Sequence, residues 1–243
     1  MRMIAGSVEE LWRYPVKSFA GERLAKSLVE SCGLYGDRLH AFEDETKTGW
    51  DRFVTARGIP AMLSYRAELA GTEDAVGEGD CAVAITAPDG ERLRWDEKLL
   101  ERVQTLTKTR LSMKTYDGQA EGLMGVDDSP VLIVSDRTIR RIEERWGKPL
   151  DPLRFRANLL VRLSDEAPDE LEWIGRDIAI GSARLRVDKG CERCSMVTFD
   201  PDTLERAPSL LRLVNEQFGL TVGAYAAVAT PGTIAVGDAI RLL

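Results

Sequence analysis

The sequence predicts a mainly β fold with covering helices, in the α+β class, on three observations. Over roughly the first ninety residues, short apolar runs are separated by turn residues about every 8 to 12 positions, a spacing typical of a β-barrel or sandwich. Three longer stretches carry the apolar periodicity of an amphipathic helix. The C-terminal stretch TIAVGDAIRLL alternates as a closing pair of strands would.

Capping residues indicate where the three helices begin and end. The first is predicted after Asp96, in DEKLLERVQTLT. The second lies in SDRTIRRIEERWG, where Ser135 or Asp136 can cap the start and Gly147 ends the helix. The third lies in APSLLRLVNEQFG and ends at Gly219.

The second half of the chain also carries strand and loop signals. RDIAIGSARLRV predicts a hairpin that turns at Gly181 and Ser182. Residues 197–199 favour a strand, and Asp200 opens a turn after it. The glycines and aspartates of residues 116–130 predict a long loop, at a domain junction or a site.

Charge and hydropathy exclude several classes of protein. The formal net charge is −7 over 243 residues, which argues against nucleic acid and anionic membranes as partners because both require a basic surface. The sequence contains no apolar run of signal-peptide or transmembrane length, so we expect no membrane segment. The expected compartment is the cytoplasm, where thiols stay reduced.

The cysteine pattern leaves several kinds of site open. Cys191 and Cys194 form a close pair, whereas Cys32, Cys81 and the single histidine, His40, are scattered. One pair does not supply the two pairs typical of structural zinc, and a redox-active pair normally opens a helix. A thiolate that binds another group, a disulfide switch and two ordinary reduced cysteines all remain possible on spacing alone.

Cationic side chains recur in turns and in one alternating segment. The turn cations, each marked by glycine or proline, are Lys17, Arg38 and Arg57. In the segment DPLRFRANLLV, a strand would place Arg154, Arg156 and Asn158 on one face. Two guanidiniums and an amide on one face suggest an anion site, because arginine forks suit phosphate, although a solvated face with local ion pairs explains the same pattern.

Taken together, these motifs resemble those of the MOSC proteins, in the subgroup with an N-terminal β-barrel domain that includes amidoxime reductases. The matching stretches are LWRYPVKSF, GDRLHAFED, FVTAR, DDSPVLIVS, RFRANLLV, CERC with VTFDPDT after it, and PGTIAVGDAIRLL. The resemblance implies an N-terminal β-barrel domain over residues 1–110 and a MOSC β-barrel domain over residues 111–243, with the boundary between 95 and 125. It also implies a molybdenum cofactor in the cleft between the domains.

The resemblance further implies which residues contact the metal. Cys194 matches the protein ligand to molybdenum, and Asp127 matches an aspartate near the metal, so both are expected to be catalytic. Asp128 and Ser129 match residues that line the cofactor, although Asp128 stands where the amidoxime reducers have threonine. Ala157 stands where close relatives have proline.

Five other residues are implied to hold the cofactor itself. Lys17, Ser18 and Arg38 match residues that contact its phosphate, and Arg156 and Asn158 match residues that hold its pterin. A soft thiolate suits a molybdenum centre that already bears dithiolene sulfurs.

The two cysteines of the pair are expected to have different roles. Arg193 and Lys189, which lie close in sequence, would favour the Cys194 thiolate. Cys191 is expected to be structural.

Three functions follow as hypotheses. The first is a molybdenum oxidoreductase that reduces N-hydroxylated small molecules such as amidoximes and hydroxylamines. It would need a separate electron-transfer protein of the ferredoxin, flavoprotein or cytochrome type, because the chain has no cysteine cluster for an iron–sulfur centre. The second is a non-catalytic molybdenum cofactor carrier or sulfur carrier, and the third is a metal-free CxxC thiol protein. No pyridoxal phosphate is expected.

Overall fold

The computed structural model describes residues 3–69, 82–117 and 128–243. Cys81 and Asp127 therefore lie outside the described residues, as does most of the predicted loop at 116–130. In none of the described helices do length and hydropathy reach what a membrane crossing requires.

The described residues are mainly β, as the sequence predicts. Their strands are β1 (Ile4–Arg13), β2 (Glu22–Leu24), β3 (Lys26–Glu30), β4 (Gly33–Leu34), β5 (His40–Asp44), β6 (Arg66–Leu69), β7 (Val83–Thr86), β8 (Arg92–Arg94), β9 (Leu111–Thr115), β10 (Val131–Ser135), β11 (Leu159–Leu163), β12 (Asp177–Ile180), β13 (Ala183–Glu192), β14 (Thr221–Thr230), β15 (Gly232–Ala235) and β16 (Ala239–Leu242).

The helices of these residues are few and short, and the three predicted α-helices are confirmed. They are α1 (Glu97–Gln104), α2 (Asp136–Trp146) and α3 (Pro208–Phe218). Single 3-10 turns occupy Gly49–Arg52, Pro60–Ser64, Pro152–Phe155, Glu170–Trp173 and Ser195–Thr198.

The chain divides into two compact units that interleave in sequence. The first contains Met1–Trp12, Arg23–Tyr35 and Asp127–Leu243, and the second contains Arg13–Glu22 and Gly36–Val126. The N-terminal strand thus belongs with the C-terminal half of the chain. The domain boundary near residue 110 stays a prediction.

The first unit is built on a closed seven-stranded barrel. Its strands follow the order β1, β11, β10, β14, β13, β12 and β16, and β16 pairs with β1 again. All neighbours are antiparallel except β10 and β11. Strand residues that point inward, among them Val8, Leu11, Ile133 and Val187, form a continuous apolar core. Trp173, from the 3-10 turn Glu170–Trp173, completes it. The hairpin predicted at Gly181 and Ser182 joins β12 to β13.

Helices α2 and α3 cover one side of this barrel. Ser135 caps α2 by accepting a hydrogen bond from Thr138 N, and Gly147 ends that helix in a left-handed conformation. Ile142 of α2 and Leu210 and Val214 of α3 pack with Cys191 in a second apolar cluster. The side of the barrel that carries the CERC motif is therefore anchored by helices.

Two predictions about strands are wrong. Strands β15 and β16 do not pair with each other, because β15 pairs with β3 whereas β16 pairs with β12 and β1. Residues 195–198 form a 3-10 turn in place of the strand expected at 197–199, and Phe199 makes only an isolated bridge to Arg206. The turn expected at Asp200 is confirmed, since its carboxylate accepts from Asp202 N and Thr203 N.

The second unit contains the strand pair β5–β9 and the meander β6–β7–β8. Its core is aromatic: Phe19 stacks on Tyr65 with ring centroids 5.1 Å apart, and Phe42 lies 5.1 Å from Trp95. A parallel bridge between Val16 and His40 fixes the YPVKS turn beside the start of β5.

Candidate functional site

The two cysteines of the CERC motif lie in different environments. Cys191 is in strand β13, is 2% exposed and packs in the apolar cluster under α2 and α3. Cys194 is exposed and lies at the start of the 3-10 turn Ser195–Thr198. Both are free thiols. The motif therefore presents one thiol to solvent and buries the other.

Between the cysteines, Arg193 turns inward. Its Nε and Nη2 donate to Val222 O at 2.8 and 2.5 Å, and its Nη1 donates to Phe155 O at 3.0 Å. The guanidinium also lies 5.0 Å from the centroid of the Phe155 ring. The sequence predicts that Arg193 favours the Cys194 thiolate, but its hydrogen bonds serve the backbone.

Arg154 is buried in the same way on the other side of the motif. Its Nη1 donates to Thr198 O at 3.2 Å, and its Nη2 pairs with Asp200 at 2.7 Å. The hydrogen bonds from Thr203 hold the pKa of Asp200 below its usual value, even though burial, the largest single influence, acts to raise it. Arg154 thus ties the RFRAN segment to the turn that follows Cys194.

The RFRAN segment is not a strand, so the prediction of one shared face for its polar residues is wrong. Arg154 closes the 3-10 turn Pro152–Phe155, and Arg156 follows it in a left-handed conformation with φ 53°. Strand β11 begins only at Leu159. Since Arg193 bonds the carbonyl next to Arg156, the Arg156 turn and the Cys194 loop are held side by side.

Asn158 is fully buried and joins two strands. Its Oδ1 accepts from Leu132 N at 3.1 Å, and its Nδ2 donates to Trp12 O at 3.2 Å. Its own backbone repeats both links, because Asn158 N donates to Leu132 O and Trp12 N donates to Asn158 O. These contacts give the side chain a structural role whether or not it also contacts a pterin.

The DDSP motif is described from Asp128 onward and is held by strand β13. Lys189 pairs with Asp128 at 2.5 Å, and Ser129 Oγ donates to Asp188 at 2.5 Å. The hydrogen bond to Asp128 raises the pKa of Lys189. The negative charge of Asp128 is thus matched by a cation of the same unit.

In the second unit, the predicted phosphate residues Lys17 and Ser18 lie in the YPVKS turn. Both are buried, at 6% and 5% exposure. The Lys17 ammonium lies 5.7 Å from the Trp50 ring centroid and 5.3 Å from that of Phe53. Its backbone N donates to His40 O at 2.8 Å, which fixes the turn.

Arg38 lies next to that turn. Its N–H donates to Tyr14 O at 2.8 Å, its guanidinium pairs with buried Asp37, and it lies 4.9 Å from the Tyr14 ring. Asp37 in turn accepts from Tyr14 N at 2.7 Å. These bonds bring Lys17, Ser18 and Arg38 onto two adjacent backbone segments, although twenty residues separate them in sequence. Arg57 is exposed in the same unit.

Backbone conformation marks several of these predicted residues. Five described non-glycine residues have positive φ, and three of them are the predicted cofactor contacts Ser18 (69°), Arg38 (54°) and Arg156 (53°). A left-handed conformation costs roughly 1–2 kcal/mol for a residue with a Cβ atom. Such strain concentrates at functional sites, so its occurrence here is an independent reason to examine these positions.

The structure therefore brings the predicted residues into two groups, one in each unit. The first unit holds the loop of Cys194, which Arg193 bonds to the residue before Arg156, and it also holds Asp128 and Ser129, which bond Lys189 and Asp188 of β13. The second unit holds Lys17, Ser18 and Arg38. Sequence reasoning missed the anchoring roles of Arg154 and Arg193 and the ring pair Trp50–Phe53. Only the closeness of Arg193 to Cys194 in the motif could have drawn attention to it.

These features define a class: a β-barrel protein that presents one thiol beside an arginine turn, with a second unit that carries cationic turns. Two family models match the sequence, the MOSC N-terminal beta barrel domain over residues 5–128 and the MOSC domain over residues 120–241. The chain belongs to the MOSC family, in the group with this N-terminal barrel, as its motifs predict.

Several characterised proteins are similar to this chain. Human mitochondrial amidoxime-reducing component 1 is 30% identical over 98% of this chain and 83% of its own length. Molybdenum cofactor sulfurase of Bombyx mori is 31% identical over 60% of this chain but only 18% of its own length. The crystal structure of YuaD from Bacillus subtilis, at 18% identity, covers 100% of this chain and 97% of its own with a TM-score of 0.53, and thus has a similar fold.

Proposed function

We propose that this protein binds a molybdenum cofactor through Cys194 and reduces N-hydroxylated small molecules such as amidoximes and hydroxylamines. The proposal is supported by membership of the MOSC family and by similarity, over nearly the whole chain, to a protein named for amidoxime reduction. A single structural observation carries it: Cys194 is exposed on a loop that Arg193 bonds to the residue before Arg156, while Cys191 is buried.

The chemistry of the donor set fits the cofactor. Molybdenum with dithiolene ligands is a soft centre and prefers a thiolate to a carboxylate or hydroxyl. Cys194 is exposed and carries no disulfide, so its thiol is accessible to such a ligand. In the second unit, Lys17 and Arg38 supply positive charge on adjacent turns, as a terminal phosphate requires.

Each residue then has a defined task. Cys194 would ligate the metal, Arg156 and Asn158 would hold the pterin, and Asp128 and Ser129 would line the cofactor. Lys17, Ser18 and Arg38 would bind the phosphate. Asp127 is expected near the metal as a second catalytic residue.

When bound, the cofactor supplies two-electron redox chemistry. With two electrons and two protons, an N-hydroxyl substrate loses its N–O bond and yields the N–H product and water. We propose that the electrons come from a separate ferredoxin, flavoprotein or cytochrome, and that the protein acts in the cytoplasm.

The test measures molybdenum per chain and benzamidoxime turnover on one sample, with a reduced viologen as artificial donor. Cys194→Ser replaces a soft thiolate with a hard hydroxyl, so turnover should fall about a hundredfold or more while the fold survives. Cys191→Ser is the matched control and should keep most activity, because that thiol is buried in the apolar cluster under α2 and α3.

The other hypotheses give different results. Bound molybdenum without turnover would indicate a carrier, and no molybdenum together with thiol-dependent redox activity would indicate a CxxC thiol protein. Equal loss of activity in the two serine variants would reject the assignment of Cys194.

A further inference from the structure

Arg193 joins its own segment, which contains the proposed metal ligand, to two others, one at Phe155 and one at Leu220 and Val222. Its side chain bonds the carbonyls of Val222 and Phe155, and its backbone N donates to Leu220 O at 2.8 Å. It is 8% exposed, and its immediate neighbour in sequence is Cys194.

We propose that Arg193 is the positioning residue of this site: it fixes the Cys194 thiol relative to the Arg156 turn through its buried guanidinium. The inference rests on the proposed function for its catalytic consequence, but its geometric part concerns the protein chain alone.

The hydrogen-bond geometry explains why an arginine is suited to this position. Both bonds to Val222 O come from one edge of the guanidinium, and the bond to Phe155 O comes from Nη1. A lysine ammonium could reach one of these carbonyls but cannot present a planar fork that spans two segments. The Phe155 ring lies against the same guanidinium, so the planar group is held on a face as well as at its edges.

Gly223, which follows Val222, lies close to the Arg193 guanidinium. This residue has φ +78°, and a Cβ built on it would lie 2.6 Å from Ile133 O and 3.3 Å from Arg193 Nη2. A side chain there would meet both the strand and the guanidinium. The barrel thus leaves room for the guanidinium where β14 begins.

The consequence for Cys194 follows from chain connectivity. The pairing of β13 with β14 is irregular between Gly190 and Glu192, so the ladder does not continue smoothly to Cys194. Beyond that point the chain is held by Arg193 and by the bonds of Arg154 to the following turn. Arg193 is the nearer of the two anchors, and it alone also bonds the residue before Arg156.

The test uses the full chain, both without cofactor and loaded with it. Without cofactor, iodoacetamide labels buried Cys191 only when the segment opens, and the rate is read by mass spectrometry of its peptide. Arg193→Lys should raise that rate about tenfold or more, because a charge-assisted hydrogen bond is lost. The matched control is Arg137→Lys, because Arg137 also bonds carbonyls, those of Ala167 and Ser164, in the same unit.

In the loaded protein, Arg193→Lys should lower turnover per bound molybdenum by about tenfold with KM nearly unchanged, because a small misplacement of the ligand lowers the chemical step. The EPR spectrum of the bound metal should also shift. A merely structural role would lower the amount of bound metal but leave turnover per metal and the spectrum as in the wild type. Should Arg193→Lys fail to fold, Phe155→Leu removes the ring and keeps both carbonyls, and the same measurements apply.

The outcomes separate the two claims. Faster Cys191 labelling in Arg193→Lys but not in Arg137→Lys, with lower turnover per metal, supports the proposal. Equal labelling in both variants overturns it, as does unchanged turnover per metal. If the wild-type protein binds no molybdenum, the proposed function fails, and the labelling experiment alone decides whether Arg193 positions the thiol.

Discussion

The CERC–RFRAN region of the first unit and the YPVKS–GDR region of the second both carry predicted site cations, yet they hold them by different means. Arg154 and Arg193 are locked by directed hydrogen bonds to backbone carbonyls. The Lys17 ammonium lies over two neighbouring aromatic rings, those of Trp50 and Phe53, and Arg38 lies on a third ring beside Asp37. A cation in one of these motifs can therefore either stabilise the fold, as Arg154 and Arg193 do, or be placed to bind a ligand, as we propose for Lys17 and Arg38. We expect substitutions to lower stability in the first region and ligand affinity in the second.

The largest stability effect is expected at Arg154. Arg154→Leu removes a buried guanidinium and leaves Asp200 and the Thr198 carbonyl without it, so the free energy of unfolding should fall by about 3–5 kcal/mol. Chemical denaturation measures this loss. Arg186→Leu is the control: it breaks an exposed pair with Asp177, and such pairs contribute about 0–1 kcal/mol. Similar losses in the two variants would contradict the anchoring role.

A smaller effect on stability, with a clear one on binding, is expected at Lys17. Lys17→Met keeps a long side chain at a buried position next to two aromatic rings, so the free energy of unfolding should change by less than about 1 kcal/mol. The phosphate contact would be lost, and cofactor affinity should fall about tenfold or more. Molybdenum retained after dialysis and a thermal melt measure the two quantities. The control is Arg57→Ala, at an exposed cation of the same unit, which should leave molybdenum retention unchanged. If Arg57→Ala lost as much molybdenum as Lys17→Met, Lys17 would have no specific role in binding.

The smallest effect is on the pH dependence of stability, and it concerns Tyr116 of the second unit. Burial, followed by the hydrogen bond to Glu43, raises the pKa of Tyr116 from 10.0 to about 12. The folded state therefore holds this proton more tightly than the unfolded state does. Its contribution to stability is complete below pH 10 and is lost as the pH rises toward 12. Tyr116→Phe should flatten that decline in alkaline denaturation curves, and parallel curves would exclude Tyr116 as its cause.

Much of the fold could be predicted because the signals are local. The ends of α2 follow from Ser135 and Gly147, which act within one turn of the helix, and the β12–β13 hairpin follows from its two-residue turn. The partners of β15 and β16 could not be predicted, because strand pairing depends on segments far away in sequence.

The candidate site, like the fold, has features that local sequence signals predict and features that depend on distant segments. The exposed thiol and the cationic turns are visible as residue types in motifs. The alternation in RFRAN misled because a period of two is a strand signal only when the backbone is extended, and here Arg154 and Arg156 lie in a 3-10 turn and its left-handed cap. The inward course of Arg193 depends on the carbonyls of Val222 and Phe155, which sequence alone does not bring together.

The buried carboxamide of Asn158 gives a structural reason why the asparagine of an RFRxN motif would be retained. One side chain links β1 to β10 where the barrel closes, with an acceptor toward Leu132 N and a donor toward Trp12 O. Aspartate, although the same size, would turn an oxygen toward the Trp12 carbonyl, and leucine would satisfy neither group. A related chain that bound no cofactor would still need this asparagine to close the barrel, whereas the residues proposed to bind the cofactor, Cys194 and Lys17, could be replaced. The asparagine of RFRxN therefore indicates that the barrel closes in this way. The thiol of Cys194 is the better indicator that a chain binds a cofactor.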